Sequence, residues 1–302
     1  ITRGQGRSLF PPYRDIPGDR IKAEAQAGRM GEELYCVATK APGLTFRPAN
    51  DRDRAAFLRA CDKLESVRAE WEREGFLPTE NVLEGNETRE PLNYGMDTWQ
   101  KLFNPRQLYV LGVIVKELHD VRPEMEAREG VELAAAIETL LAFGVDKAAN
   151  YNARMTRWHS GDSVVAGVFD RHDYSMKWSY CEMAMAVAGG GLQWCFNSVI
   201  EAYKGLCELM PVCDQAAGVH YGSATSLPQI ADGSVHAVVV DPPYDDNVQY
   251  SELADFFYVW LKHSLGHRFP GMFDTALCDD SLEAVVDTAK FKENATKTTK
   301  AK

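Results

Sequence analysis

Along the chain, stretches with apolar residues three to four positions apart alternate with short apolar runs closed by glycine, proline or aspartate, which predicts several helices and fewer strands. A short apolar run at 34–38 reads as a strand. Arg47-Pro48-Ala49-Asn50-Asp51 then supplies turn and cap for a long helix through Trp71, on which Ala56, Phe57, Ala60, Leu64 and Val67 share one face. After a polar connector at 75–93, Asn104 as N-cap with Pro105 at the first helical position starts another helix, running to about Asp120, with Leu108, Leu111, Val115 and Leu118 facing a core. An alanine-rich helix follows over 131–143 and continues to about Arg154. Residues 157–178, rich in Trp, His and Asp, read as irregular. Gly189-Gly190-Gly191 breaks the chain before an amphipathic helix over 192–210.

Beyond it the pattern changes to strands and turns. Residues 219–222 are β-like, Asp232-Gly233 is a turn, and Ala237-Val238-Val239-Val240 reads as a buried strand of the parallel type. That strand ends in Asp241-Pro242-Pro243-Tyr244. A carboxylate at the carboxyl end of a parallel strand stands where α/β sheets bind ligands. Two prolines cannot continue a ladder, so they turn the chain out of the sheet and fix its carbonyls at the crevice beside an aromatic ring. Oxygen acceptors next to a π-face suit a planar substrate that bears an amino group. A strand-ending turn accounts for the tetrapeptide alone, but not for the helix behind it. There Leu253, Phe256, Phe257, Trp260 and Leu261 form a stripe that reads as core, while Asn247 and Tyr250, just ahead, are placed to line a pocket.

Composition narrows the classes. The 302 residues carry a net charge of -11, which argues against salt-driven nucleic-acid binding by the whole surface and leaves room for a local basic groove. No apolar run is long enough for a membrane helix and the N-terminus lacks a secretory layout, so a cytoplasmic protein is expected. The seven cysteines include no C-x-x-C pair, so no metal site is expected. His159, His172, Asp162, Asp170 and Asp173 match no ligand spacing and read as a polar loop.

The apolar strand before Asp241-Pro242-Pro243-Tyr244, the upstream Gly222-Ser223-Ala224-Thr225-Ser226-Leu227-Pro228 and the aromatic helix behind together resemble the amino-group DNA methyltransferases. The run from Tyr244-Asp245-Asp246-Asn247-Val248-Gln249-Tyr250 to Phe256-Phe257-Tyr258-Val259-Trp260 narrows this to the large adenine-specific DNA methylases that often carry a zinc ribbon. Tyr94-Gly95, Trp99, Leu102-Phe103 and Pro105-Arg106-Gln107-Leu108 resemble the same family, and the likeness extends over 34–292.

The resemblance implies an α/β fold with a Rossmann-like methyltransferase sheet and an added helical region, arranged as an extended arm (1–33), a mainly helical accessory region (34–155), the methyltransferase segment (156–289) and a basic tail (290–302). It implies DNA as partner, S-adenosylmethionine as cofactor, and methylation of an exocyclic amino group, adenine N6 ahead of cytosine N4. Asp241 and the Pro242 carbonyl would accept from that amino group, with Pro243 fixing the turn. Tyr244, with Asn247 and Tyr250, would hold a base flipped from the duplex. Ser223, Ala224 and Asp241 would line the cofactor, although relatives often have an acid where Ser223 stands. The sheet is expected to be incomplete: the only counterpart of the family's glycine-rich cofactor turn is at 188–191, with no β-branched strand before it, and neither closing strands nor a zinc ribbon follow Asp241. A second polypeptide carrying the glycine-rich strand is the expected remedy. The alternative is a non-catalytic recognition or scaffold subunit.

Overall fold

A computed structural model describes residues 17–40, 42–187, 189–210, 217–220, 222–224, 226–241, 248–281, 283 and 285. Helix α1 (Gly18–Gln26) precedes a hairpin of β1 (Cys36–Thr39) and β2 (Thr45–Pro48). Next come α2 (Asp51–Glu74), short α3 (Arg89–Asn93), a 3-10 turn (Trp99–Leu102), α4 (Pro105–Glu129) and α5 (Val131–Tyr151). A second hairpin of β3 (Arg157–His159) and β4 (Val164–Ala166) leads to α6 (Gly191–Leu209) and α7 (Tyr250–Leu265).

Local chemistry fixes the helix starts. Asn50 and Asp53 form a capping box on α2. On α4, the Asn104 side chain accepts from the Gln107 N–H at 2.9 Å, and Gln107 returns the bond to the Asn104 N–H at 2.8 Å. Pro105 costs nothing at the first helical position, where its missing N–H has no partner to lose. The expected stripe of Leu108, Leu111, Val115 and Leu118 is buried. Gly112 lets α2 cross close by, because a Cβ there would stand 2.6 Å from the Trp71 ring.

One hydrophobic core joins α2, α4 and α5 to α7, including Phe256 and Trp260 of the stripe behind Asp241, with Val259 between them. Phe103, immediately ahead of α4, stacks on Phe256 with centroids 5.8 Å apart and meets Trp260 edge to face.

Three expectations change. Residues 18–26, expected as extended arm, form α1, whose Ala25 is buried because the chain at Gly95 runs against it. The segment expected as irregular contains the β3–β4 hairpin. Residues 237–240, expected as a buried strand, join no ladder among the described residues, and Val238, Val239 and Val240 are 78%, 93% and 72% exposed. An apolar strand is buried only when neighbouring strands and a covering layer surround it. The chain is thus a mixed fold of helices with two small antiparallel ladders, and no Rossmann-like sheet forms among the described residues.

Candidate functional site

Helix α7 organises the region behind Asp241. Val248 and Gln249 are buried at its start, and Tyr250, its first residue, is 41% exposed. Its third residue, Glu252, is buried and turned back into the protein. Its carboxylate accepts the backbone N–H groups of Asn86 at 3.0 Å, Glu87 at 2.8 Å and Thr88 at 3.1 Å. Those bonds clamp the 85–88 turn onto the helix, and the chain comes so close at Gly85 that a Cβ would lie 2.2 Å from the carboxylate carbon. Burial, followed by the charges of Glu252 and Asp173, pushes the Glu87 carboxyl up.

On the other side, the buried Tyr174 donates from Oη to the Glu252 carbonyl at 3.0 Å. Burial drives its phenol well above the ordinary range, so it stays a donor. The Val168 N–H donates to the Asn150 carbonyl at 2.9 Å, which fixes the start of this loop to α5.

Between loop and helix lies an open cleft of about 420 Å³, with Phe169, Val248, Leu253, Ala254 and Phe257 as apolar surface and Asp170, Arg171, His172 and Tyr250 among its lining residues. The Phe169 and Phe257 rings are 5.3 Å apart. Asp170 is ion-paired with Arg157.

Of the residues singled out in the sequence, Tyr250 reaches this cleft. Asp241 is described and exposed, at the end of the 237–241 run, which joins no ladder among the described residues, and Ser223 is half-buried with Ala224 exposed beside it. Pro242, Pro243, Tyr244 and Asn247 lie outside the described residues. No ladder joins 222–224 to 237–241 among the described residues. At 189–191, within the expected counterpart of a glycine-rich cofactor turn, the N–H groups of Gly189, Gly190 and Gly191 are engaged internally: they donate to Gln193 Oε1 at 2.7 Å, the Val187 carbonyl at 2.8 Å and the Ala184 carbonyl at 3.1 Å. A glycine-rich loop that holds a ligand needs those donors free.

Pro105-Arg106-Gln107 acts structurally here. Arg106 and the Asn104 amide both bind Glu182, and Gln107 completes the cap. Sequence reasoning missed the cleft wall at 169–172, because nothing in its local pattern announces a partner in α7. No family model matches the chain, and no curated protein or solved structure matches it significantly.

Proposed function

We propose that this chain is a segment or subunit of an S-adenosylmethionine-dependent DNA methyltransferase that acts on an exocyclic amino group, adenine N6 ahead of cytosine N4. The observation that supports it is the position of Tyr250: the Asp241-Pro242-Pro243-Tyr244 motif leads through Val248 and Gln249 into a helix whose first side chain lines a cleft with aromatic walls. In this reading Asp241 and the Pro242 carbonyl accept hydrogen bonds from the target amino group and orient its nitrogen lone pair, and Tyr244 stacks on the flipped base beside Tyr250. Bound S-adenosylmethionine supplies the methyl group. The Rossmann-like crevice that holds it is completed by a second polypeptide bearing a glycine-rich strand.

A second reading, a recognition or scaffold subunit without catalysis of its own, draws on the engaged N–H groups of Gly189, Gly190 and Gly191 and on the exposed Val238–Val240 run. The experiment that separates the two incubates DNA with a labelled methyl donor, this chain and a polypeptide carrying the glycine-rich strand, followed by nucleoside analysis. Label in N6-methyladenine that requires this chain supports the methyltransferase. Label that requires this chain but survives removal of the Asp241 carboxylate supports the scaffold.

A further inference from the structure

Resting on that reading for its choice of ligand, we infer that the cleft beside Tyr250 holds one nucleotide of a DNA strand, its phosphate on Arg171 and its base against Phe169, Leu253 and Phe257. The volume, about 420 Å³, is that of a small-molecule site. Charge on the lining is uneven. Asp170 is engaged by Arg157, whereas the neighbouring Arg171 is exposed and has no hydrogen-bond or ion-pair partner among the described residues. One uncommitted guanidinium therefore faces solvent at the cleft, and its planar fork matches phosphate oxygens. Below it the surface is apolar and aromatic, the kind on which bases of any sequence stack.

The wall is also positioned in advance. The loop is tied to α5 by the Val168 to Asn150 bond and to α7 by the Tyr174 to Glu252 bond, so Arg171 and the floor keep their spacing without a ligand. Cation and stacking surface in one pre-formed cleft define a nucleotide site, where a plain apolar cleft would not.

The test uses the 302-residue chain without cofactor and a short single-stranded deoxyoligonucleotide carrying one 2-aminopurine, read by anisotropy and by base fluorescence. Arg171→Ala should lower the slope of log affinity against log salt by about 0.7, the share of one phosphate on a single strand, and Arg171→Lys should keep that slope. Ala254→Trp, at an exposed position of α7 on the cleft, should abolish the 2-aminopurine response with the far-ultraviolet circular dichroism unchanged. An unchanged slope in Arg171→Ala, a wild-type response in Ala254→Trp, or no binding by the wild-type chain would overturn the inference. Tighter binding of the matching ribo-oligonucleotide would overturn the choice of DNA. Methyl transfer is not measured here, so the two ideas fail separately: normal binding with methylation indifferent to Asp241 would remove the enzymatic reading and leave the cleft.

Discussion

The ring of Phe103 meets the indole of Trp260 edge to face, centroids 5.4 Å apart. Both are buried, and they join the segment ahead of α4 to the helix behind Asp241. The segment ahead of α4 and helix α7 therefore share one core. Phe103→Ala should destabilise the chain by about 3–5 kcal/mol, the cost of removing a large ring from a close-packed core. Urea denaturation checks this, and a loss below about 1 kcal/mol would contradict the shared core.

The clamp between Gly85 and Glu252 makes a sharper prediction. Glu252→Ala leaves the backbone N–H groups of half-buried Asn86 and Glu87 and of buried Thr88 without their acceptor, and a buried donor left so costs about 1–3 kcal/mol. Gly85→Ala pushes a methyl into the same carboxylate. Each variant alone should be less stable, and the double variant should lose less than the sum, because the methyl has room once the carboxylate is gone. Strict additivity in a double-mutant cycle would show that the two residues do not touch.

Stability should fall in two stages as pH is lowered. Burial depresses the imidazoles of His119 and His267. Burial alone would push the Glu138 carboxyl up, but Arg268 and Arg122, whose Nε atoms donate to it at 2.7 and 2.9 Å, outweigh burial and hold it down. Glu80 likewise overcomes burial through His263 and is lowered to about 2. In each case the folded value lies below the unfolded one, so the unfolded chain takes up the proton first and stability drops with falling pH. The histidine stage begins below about pH 6.5 and the carboxylate stage below about pH 4.3. Denaturation midpoints across this range measure both. Glu138→Gln should weaken the second stage while costing about 3–5 kcal/mol at neutral pH, because two guanidiniums lose their buried partner.

Much of the helical frame is legible in the sequence because its signals are local. Asn50 and Asn104 announce their helices through caps that span three residues, and the α4 stripe follows from periodicity alone. The stripe of α7 is also readable as core. What sequence does not reveal is distant pairing: neither the clamp of Glu252 on 86–88 nor the 169–172 wall leaves a trace in its own neighbourhood. The same limit explains 237–240. Its β-branched pattern states a preference for a sheet, but burial depends on neighbours that the described residues do not provide. Asp241 was readable as the end of that run, while the surroundings of Pro242, Pro243, Tyr244 and Asn247 lie outside the described residues.

Cofactor affinity tests the proposed need for a second polypeptide. With the Gly189, Gly190 and Gly191 donors engaged internally, the chain alone should bind S-adenosylmethionine weakly or not at all in titration calorimetry, and binding should appear on addition of the polypeptide with the glycine-rich strand. Tight stoichiometric binding by the chain alone would show that the cofactor site is built from this sequence.

The most direct measurement is the rate of methyl transfer to DNA in the complemented assembly, wild type against Asp241→Ala. Asp241 is exposed, so the substitution should leave the fold in place while removing the carboxylate proposed to accept from the target amino group. Tyr244→Phe should keep most of the rate, and Tyr244→Ala should lose the stacking contribution of about 1–3 kcal/mol. Asp241→Ala should abolish N6-methyladenine formation in a correctly assembled complex; methylation by that variant at the wild-type rate would contradict the proposed role of this motif.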